Sequence, residues 1–595
     1  MRFAELCATF ERLESTSKRL EMRSTLVDMI RPLRPPELGR VLYLVQGLLR
    51  PEYEGVELGM ADSLARRAVA TATHTEDGLV ARRTKDSGDL GTTAGELLAG
   101  VRRLEEAPPL TVAEVYSELT RIAEAKGAGS QEVKVQILSD LLVRASPSEG
   151  KFLVRFVLGT LRVGVREMSI LDALAGAFAD GSEIARERIE AAFNLTSDFE
   201  LVAGVLVDKG VDGLHDVSLE VGRPMRAMLA ERERTLADVL QRMDGRAALE
   251  YKYDGLRVQA HIPKKGPVRL FSRRLEEISA QFPELVEELP RAVRSTPAIL
   301  EGECVPIDPD TDEIQPFQQV SRRRGRKHDL ERVRDEVPVC LFVFDLFLLG
   351  GTPVYSKSFP ERRALLTKAL SPTERVRLAV QRIVSSEEEA QSFFEEAIAA
   401  GGEGIMAKSL AEGSAYRAGA RGFWWIKYKR EYTTGLSDSI DGVVVGAFQG
   451  RGRRAGRYGA FLLAVYNPKR DRFESFCKVG SGFDDAQLAE MPARLHRYET
   501  SERPPEVETG VTPDRWIRPG VVLEVRGAEL TLSPVHRAAL GTIRSGAGLA
   551  LRFPRFTGRF RDDRSATEAT TADELLRLYR TQVRQETPES ASDAR

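Results

Sequence analysis

The sequence predicts a multidomain protein in which an all-α region is followed by an α+β region and then by a small all-β barrel. Its 595 residues exceed what a single hydrophobic core organises, and about 150 residues per domain give three or four folding units. The pattern of apolar residues also changes along the chain, from a helical spacing at the start to short alternating runs after Leu249 and to shorter ones after Tyr432. Length and periodicity together predict this fold class.

The N-terminal part of the chain is predicted to be helical up to about residue 200. Phe3, Leu6, Phe10 and Leu13 recur at intervals of three and four residues, which places their side chains on one helical face. Pro-rich or Gly-rich breaks separate the helical blocks at residues 35–36, 108–109 and 127–130.

The middle of the chain is predicted to be a sheet with inserted helices, because its apolar or alternating runs are bounded by Gly, Pro and Asp. These runs are residues 267–272, 298–307, 337–349 and 404–408, with a capped helix at 385–400. The barrel is predicted from shorter strands at residues 442–448, 461–466, 472–479 and 521–525. Residues 581–595 are polar and aperiodic, so we expect a loose tail there.

Composition excludes several classes of protein. Lys and Arg number 87 against 89 Asp and Glu, a net charge of −2, so any nucleic-acid site must be a local patch. Hydrophobic residues make up 42% of the chain and charged residues 30%, which is typical of a folded globular protein rather than a disordered one.

The cysteine pattern indicates a reducing compartment, so we expect a cytoplasmic protein. Cys7, Cys304, Cys340 and Cys477 lie far apart and form no C-x-x-C pair, which argues against a zinc site and against a secreted disulfide scaffold. No secretory signal is visible. The most apolar run, residues 339–349, is too short to cross a membrane.

One short segment is a candidate nucleophile. Lys252-Tyr253-Asp254-Gly255 places a lysine on a predicted strand just before a turn, where burial and nearby positive charge can leave its amine partly neutral. The tetrad alone is a weak signal, because a solvated lysine before a turn gives the same pattern.

Four further residues suit a nucleotide pocket. Arg257 and Arg273 can supply planar forks for ribose or phosphate oxygens. Glu303 and Glu403 are carboxylates beside glycines at strand ends, the hard oxygen ligands that Mg²⁺ prefers.

The later strands add an aromatic ring and two amines. Phe344 could stack on a base, although an aromatic residue in so apolar a strand is more often part of the core. Lys427 and Lys429 alternate with apolar residues, which puts both amines on one strand face, a geometry that would hold a phosphate.

In their order and flanking residues, these motifs resemble those of the covalent nucleotidyltransferases, and closely those of the ATP-dependent DNA ligases of the archaeal and eukaryotic replicative type. The resemblance runs from about residue 1 to residue 580 and includes residues 155–164, 449–459 and 551–556. Six ordered motifs are far more specific than one. The chain departs from the family at Glu431, where relatives often have Asp, and at Ala407, where a larger aliphatic residue is common.

The resemblance implies a role for each site residue. Lys252 resembles the lysine that becomes adenylylated, and Phe344 resembles the ring that stacks on adenine. The implied nucleotide contacts are Glu250 beside the adenine, Arg257 and Glu303 near the ribose, Arg273 and Arg421 close to the nucleotide, and Lys427 at the α-phosphate. Glu303 and Glu403 are the implied metal-associated carboxylates, so ATP and Mg²⁺ are the expected cofactors. Arg552 and Arg555 belong to the motif that orients the departing pyrophosphate in the family.

The resemblance also implies the domains and the activity. A helical DNA-binding domain is expected at residues 1–220, an adenylyltransferase domain at 221–434 and an OB-fold domain at 435–580, together encircling nicked duplex DNA, with a flexible tail at 581–595. The implied reaction seals 5′-phosphate/3′-hydroxyl nicks through enzyme-lysyl-AMP and DNA-adenylate intermediates, in replication, repair and recombination. We expect a monomer. The sequence leaves open a sliding-clamp partner, nucleotides other than ATP and the choice between replication and repair.

Basic clusters fit a DNA-binding role, but each has a plainer interpretation. Residues 322–327 and the arginines within 451–457 could neutralise phosphates, although such runs are more often solvated loops. Arg155 and Arg162 are predicted to share one side of a helix, with Gly164 allowing close approach to a minor groove. Packing of that helix explains its apolar residues equally well.

Other functions remain as alternatives at this stage. A capping guanylyltransferase or an RNA ligase shares Lys-x-Asp-Gly, but the long helical N-terminal region argues against both. A non-catalytic DNA-binding scaffold need not retain Lys252, Glu303, Glu403, Lys427 and Arg555 together. An NAD-dependent ligase is disfavoured because no cysteine cluster for its zinc module is visible.

Overall fold

The computed structural model describes residues 1–101, 108–308, 313–315, 320, 323, 337–429, 439–450, 457–527 and 529–584. The chain forms two compact units, Met1–Tyr428 and Lys429–Arg595. Glu431 lies outside the described residues.

The first part of the first unit is helical, as predicted. Phe3, Leu6, Phe10 and Leu13 are all buried on one face of α1 (Phe3–Ser15), so the predicted apolar face packs into the core. The following helices are α2 (Arg19–Ile30), α3 (Glu37–Gln46), α4 (Asp62–Ala72), α5 (Asp77–Ser87), α6 (Leu90–Ala99), α7 (Val112–Glu124), α8 (Ser130–Arg144), α9 (Pro147–Val157), α10 (Glu167–Phe178), α11 (Glu183–Thr196) and α12 (Phe199–Lys209). Short 3₁₀ turns lie at Glu52–Glu54 and Asp212–Asp216.

Arg155 and Arg162 do not share a helical face, and that prediction was wrong. Helix α9 ends at Val157, and Arg162 lies beyond it in a left-handed conformation, with φ of 59°. The Arg155 side chain is 5% exposed and is paired with Asp89 and Glu14. Arg155 is thus buried inside the helical region, where two acidic residues distant in sequence pair with it.

Two sheets with inserted helices form the rest of the first unit, as predicted. The elements are β1 (Leu229–Arg232), α13 (Leu236–Arg242), β2 (Ala247–Tyr251), β3 (Leu256–Ile262), β4 (Arg269–Ser272), α14 (Pro283–Ala292), β5 (Ala298–Pro306), β6 (Val339–Leu349), β7 (Thr352–Pro353), α15 (Phe359–Ala369), β8 (Val376–Leu378), β9 (Gln381–Val384), α16 (Glu387–Ala399), β10 (Gly404–Ser409) and β11 (Arg421–Lys429), with a 3₁₀ turn at Ser279–Gln281. One sheet has the order β1-β11-β10-β2-β9, and the other has the order β4-β3-β5-β6-β7 with β8 also paired to β6.

Strands β3 and β5 have one apolar face and one polar face. Side chains alternate across a strand, so Leu256, Val258 and Ala260 pack with α14 in one core. The odd-numbered residues of β3 and Glu301 and Glu303 of β5 take the opposite face. The polar side chains of the candidate site therefore emerge on the side of the sheet away from α14.

The polar face of β3 holds the segment that connects the helices to β1. Burial lowers the pKa of His261 to about 3, so its neutral ring accepts a hydrogen bond on Nδ1. The bonds, at 2.8–3.3 Å, are Gly222 N–H to His261 Nδ1, Met225 N–H to Gln259 Oε1, Gln259 Nε2 to the Met225 carbonyl, Met228 N–H to Tyr416 Oη and Arg257 Nη1 to the Met228 carbonyl. Alternating side chains of β3, together with Tyr416, thus fix the backbone of residues 222–228.

The second unit is a sheet domain that includes a half-barrel. Its elements are β12 (Ile440–Gln449), β13 (Tyr458–Asn467), β14 (Arg472–Val479), α17 (Asp485–Leu495), β15 (Glu499–Thr500), β16 (Val507–Glu508), β17 (Arg515–Ile517), β18 (Val522–Arg526), β19 (Glu529–Ser533), β20 (Gly548–Arg552), β21 (Arg555–Phe560) and α18 (Ala572–Arg584), with 3₁₀ turns at His496–Tyr498 and Ala566–Glu568. The main sheet has the order β15-β17-β12-β13-β14-β16, and β18 joins β12 to β21. Strands β19 and β20 form a separate pair.

Two helices of this unit were not predicted. Met491 and Leu495 of α17 and Leu575 and Leu576 of α18 are buried in the core of the second unit. The predicted tail begins within α18, which extends to Arg584, and residues 585–595 lie outside the described residues.

No helix within the described ranges is long and apolar enough to cross a membrane. All four cysteines are free thiols with buried side chains.

Candidate active site

Lys252 lies directly after β2, where its backbone extends the pairing of β2 with β10. Its N–H donates to the Gly404 carbonyl and its own carbonyl accepts from the Glu403 N–H, both at 2.9 Å. The Lys252 ammonium also forms an ion pair with the Glu403 carboxylate, and the two side chains are 21% and 24% exposed. The structure therefore brings together two of the predicted residues, 151 positions apart in the chain, at a place that solvent reaches.

Gly255 explains why the tetrad ends in glycine. A Cβ atom at this position would lie 2.5 Å from the Cys304 carbonyl oxygen and 2.9 Å from Cγ of Glu303, closer than side-chain atoms pack. Only glycine therefore fits without a shift of the backbone. This close approach holds the turn that follows Lys252 against β5 beside Glu303.

Glu303 is an unusually basic carboxyl group. Burial raises its pKa to about 7, the positive charges of Lys252 and Arg257 oppose the rise, and the negative charges of Glu403 and Glu301 add to it. Glu303 also lies opposite Arg257 in the register of β3 and β5. Lys252, Glu303 and Glu403 thus form one electrostatically coupled group, which makes the site a candidate for charge-dependent chemistry.

Arg257 is held by several protein groups. Its Nε and Nη2 donate to the two Glu301 oxygens, each at 2.8 Å, in a bidentate pair. Nη1 donates to the Met228 carbonyl at 2.9 Å, and Nη2 also donates to the Tyr416 hydroxyl at 3.2 Å. The guanidinium is therefore fixed by the fold.

Glu250 and Lys408 form a buried ion pair beside this group. Lys408 Nζ lies 2.7 Å from Glu250 Oε2, and both side chains are almost fully buried. Gln381 Nε2 and Arg363 Nη1 approach Glu250 Oε1 at 2.9 and 3.4 Å. Burial lowers the pKa of Lys408, and the adjacent Glu250 charge opposes that effect. Glu250 is thus a carboxylate surrounded by donors on three sides.

Phe344 lies among cations and another aromatic ring. Its ring meets Trp425 edge-on, with centroids 6.0 Å apart. Lys408 Nζ and Arg257 Cζ lie 4.7 and 5.6 Å from the centre of the Phe344 ring. Because Phe344 is only partly buried, part of its side chain remains accessible.

Three more predicted residues lie on or next to strands β4 and β11. Arg273 is exposed just after β4 and lines a cavity of about 10 Å³ that Arg257 also lines. Arg421, also exposed, begins β11 and lines a separate cavity of about 290 Å³. Lys427 is partly buried on β11, in register with Arg232 of β1.

Three site residues were not predicted from the sequence. Lys408 pairs with Glu250, and Glu301 and Tyr416 hold Arg257. A signal existed for Glu301, because it alternates with Glu303 on an otherwise apolar strand. Lys408 and Tyr416 carried no comparable signal, since their partners are distant in sequence.

Comparisons with known proteins identify the family. Family models match three stretches of the chain: the DNA ligase N terminus at residues 2–175, the ATP dependent DNA ligase domain at 227–429 and the ATP dependent DNA ligase C terminal region at 454–564. The chain is 46% identical over 592 residues to DNA ligase 2 of Thermofilum pendens, covering 98% of this chain and 97% of that protein.

The chain belongs to the ATP-dependent DNA ligase family. It is also 44% identical over 597 residues to the DNA ligase of Aeropyrum pernix, covering 98% of each chain. The solved structure named Pmar-Lig_Pre. is similar in fold, with a TM-score of 0.51 at 17% identity, covering 94% of this chain and 99% of that one.

The donor set of the ligase fits a divalent cation that is bound largely by substrate. In the part of the chain that the structure describes, no group of three or more His, Cys, Asp or Glu side chains could hold a metal ion by itself. Glu303 and Glu403 supply two hard oxygen donors near Lys252. Mg²⁺ is usually held by one or two carboxylates together with waters and substrate phosphates, so these residues suit it.

The basic run at residues 322–327 is only partly described in the ligase. Arg323 is buried and forms an ion pair with Glu284, and its Nη2 also donates to the Val337 carbonyl at 2.5 Å. Its neighbours in the run lie outside the described residues, as do those at 451–456. Arg457 is exposed. The prediction of a phosphate contact was therefore wrong for Arg323, because its guanidinium is buried and paired with the Glu284 carboxylate.

The C-terminal motif of the ligase spans the end of β20 and the start of β21. Arg552 Nη1 lies 2.6 Å from Glu529 Oε1 on β19. Arg555 is exposed, and Phe553 between them is 67% exposed. The two arginines thus have different surroundings, with only Arg552 in this ion pair.

Proposed function

We propose that this DNA ligase acts through a covalent AMP adduct on Lys252. The observation that carries the proposal is the convergence of the Lys252 amine with Glu303 and Glu403 at one accessible place. In the first step the neutral amine attacks the α-phosphorus of ATP, a P–N bond forms and pyrophosphate leaves. The ion pair with Glu403 must open, and the amine must lose its proton, before the attack.

The next two steps transfer the AMP to DNA and release it. An oxygen of the 5′-phosphate at the nick attacks the phosphorus of the lysyl adduct, which frees Lys252 and forms the DNA-adenylate. The 3′-hydroxyl then attacks the 5′-phosphate, a phosphodiester forms and AMP departs. Alignment of the two strand ends supplies much of the rate, since oriented reactants gain about 7–11 kcal/mol over free encounter.

We assign the surrounding residues to parts of the nucleotide. Glu250 contacts the adenine and Phe344 stacks on it, supported by the partial exposure of the Phe344 ring. Arg257 and Glu303 contact the ribose, supported by their pairing in register on β3 and β5. The residues assigned nearer the phosphates are Arg273, Arg421 and Lys427.

Glu303 and Glu403 would hold Mg²⁺, which offsets negative charge on the transferring phosphoryl group. Burial of Glu303 and the nearby Glu403 charge disfavour the ionised form of Glu303, as its raised pKa indicates. A bound cation would offset that cost.

Glu403→Gln keeps the shape of the side chain but removes its charge. Adenylylation should fall by at least about 10²-fold while affinity for nicked duplex changes little. An equal loss of adenylylation rate and of affinity for nicked duplex would indicate that Glu403 has a structural role.

We further propose that the helical region binds DNA, that the second unit is an OB-fold, and that the boundaries lie near residues 220 and 434. The two DNA ligase family models that flank the ATP dependent domain support this division. We also propose that the enzyme is a cytoplasmic monomer that serves replication, repair and recombination. A sliding-clamp partner would be detected by co-purification with the clamp.

The proposal is tested by labelling the enzyme with [α-³²P]ATP and separating it on a denaturing gel. The wild-type protein should retain label, whereas Lys252→Arg should not, because a guanidinium stays protonated and cannot attack phosphorus. Lys264→Arg is a matched control at an exposed lysine beyond β3 and should label normally. If Lys252→Arg retained label, a residue other than Lys252 would be the nucleophile.

A further inference from the structure

Tyr416 is a buried tyrosine whose hydroxyl contacts three groups of the candidate site. Its side chain is 3% exposed. The hydroxyl donates to Glu301 Oε2 at 3.0 Å, and it accepts from Met228 N–H at 2.8 Å and from Arg257 Nη2 at 3.2 Å. A phenolic hydroxyl has one donor and two lone pairs, so all of its hydrogen-bonding capacity is used.

These contacts restrict what Arg257 can offer to a ligand. Four of its five N–H groups have acceptors among the described residues: Glu301 takes two, Tyr416 one and the Met228 carbonyl one. The Phe344 and Trp425 rings lie 5.6 and 5.4 Å from the guanidinium carbon. One N–H, on Nη1, is left for a ligand, and its direction is set by the other four bonds.

We propose that Tyr416, together with Glu301, is a positioning residue that orients Arg257 toward the ribose of the bound nucleotide. This inference rests on the proposed function, in which Arg257 contacts that ribose. Loss of the hydroxyl would release one edge of the guanidinium and would also leave the Met228 N–H without its acceptor. Arg257 would then meet the ribose in several orientations, and the preference for a complete ribose would weaken.

The test measures adenylylation of Lys252 in single-turnover reactions of the full-length enzyme with ATP, 2′-deoxy-ATP and 3′-deoxy-ATP. In Tyr416→Phe the ATP concentration for half-maximal rate should rise roughly fivefold, the size expected for one neutral hydrogen bond. The maximal rate should change less than twofold. The preference for ATP over whichever deoxy analogue the wild-type enzyme discriminates against should fall by a similar factor.

Matched variants separate positioning from general packing. Tyr355→Phe removes a hydroxyl from a partly buried tyrosine in the same apolar cluster and should leave the nucleotide preference unchanged. Glu301→Gln removes the bidentate charge pairing and should lower the preference as Tyr416→Phe does. Arg257→Lys should lower it furthest, because an ammonium cannot reproduce the fork.

The outcomes distinguish this inference from the proposed function. If Arg257→Lys lowers the preference but Tyr416→Phe and Glu301→Gln do not, the positioning role is overturned and the ribose contact stands. Equal loss for all three nucleotides in Tyr416→Phe, with a lower melting temperature, would also overturn it, because a structural role acts on every substrate alike. If Arg257→Lys leaves the preference intact, the ribose assignment itself fails.

Discussion

Glu303 connects the chemistry of the site to the stability of the protein. Its pKa is raised to about 7 from an ordinary 4.5, so the folded state favours the protonated carboxyl. The stabilising contribution of this group is complete below pH 4.5 and is lost as the pH rises through 7. Ionisation of Glu303 in the folded protein should cost up to about 3 kcal/mol above pH 8, from 1.36 kcal/mol per pKa unit.

Glu303→Gln should therefore gain stability relative to the wild-type protein as the pH rises from 5 to 8, because an amide does not ionise. The check is the difference in melting temperature between the two proteins across that range, without nucleotide or divalent cation. Glu287→Gln, at an exposed position of α14, controls for loss of a surface carboxylate. A difference that does not grow with pH would mean that Glu303 ionises normally.

At the level of residues, the sequence motifs named Lys252, Glu303 and Glu403 as candidates, and the structure brings them together. The motifs did not predict what holds their neighbours. A motif records residues close together in the chain, such as Lys252 and the Gly255 that lets its turn approach β5. Tyr416 lies 159 positions from Arg257, and Lys408 is similarly remote from Glu250. Such pairs form only in the folded protein, for Glu250 and Lys408 between the adjacent strands β2 and β10, so no local pattern marks them.

At the level of elements, α9 shows how a basic helix can be misinterpreted. Arg155 donates to Asp89 through Nε at 2.7 Å and to Glu14 through Nη1 at 2.7 Å. Burial would raise the pKa of Asp89, but the hydrogen bonds and charge of Arg155 outweigh it and hold that pKa below its usual value. The helix therefore uses Arg155 to join α1, α6 and α9.

Arg155→Ala should destabilise the helical region by about 3–5 kcal/mol, because it leaves the Asp89 charge buried without its partner. The melting temperature should fall, while the salt dependence of DNA binding should stay unchanged at a temperature where both proteins are folded. An unchanged melting temperature, together with a shallower salt dependence of DNA binding, would indicate that Arg155 contacts DNA.

Arg162 provides the matched comparison in the same segment. It is exposed beyond α9, so Arg162→Ala should leave the melting temperature nearly unchanged. If it contacts a phosphate, the log-log slope of affinity against salt should become shallower by about 0.9.

Secondary structure was predicted best where the apolar residues recur with a clear helical or strand period. The face of α1 and the strands β5, β6 and β14 lie where their patterns indicated. Helices α17 and α18 were missed because the short strands around them dominated the pattern of the C-terminal region. Each is stabilised by apolar residues that pack on the sheet, including Met491 and Leu575, and that packing depends on tertiary structure.

At the level of the whole molecule, a net charge of −2 is compatible with a DNA substrate because charge is distributed locally. Arg155 and Arg323 are neutralised by buried carboxylates, whereas Arg162, Arg457 and Arg555 are exposed. The number of arginines in the predicted basic clusters therefore overstates how many of them can contact DNA phosphates. Burial and pairing decide which of them can contact DNA.

Arg555 allows the steps of the reaction to be separated. The family resemblance assigns its motif to the departing pyrophosphate, and only the first step involves that group. Arg555→Ala should slow adenylylation of Lys252 by at least about 10²-fold, since contacts made in the transition state act on the rate. Sealing of a nick that already carries a 5′-AMP should proceed near the wild-type rate, because the attack of the 3′-hydroxyl needs no contact at the missing phosphates.

The matched variant for Arg555 is Arg552→Ala, which breaks the ion pair with Glu529 between β20 and β19. Because that pair links two strands, Arg552→Ala should lower the melting temperature of the second unit, whereas Arg555→Ala, at an exposed position, should not. Adenylylation and sealing of the pre-adenylylated nick are measured on one preparation of each variant. Comparable damage to both steps in Arg555→Ala would contradict a role confined to pyrophosphate departure, and a lowered melting temperature alongside it would assign Arg555 to the structure of the sheet.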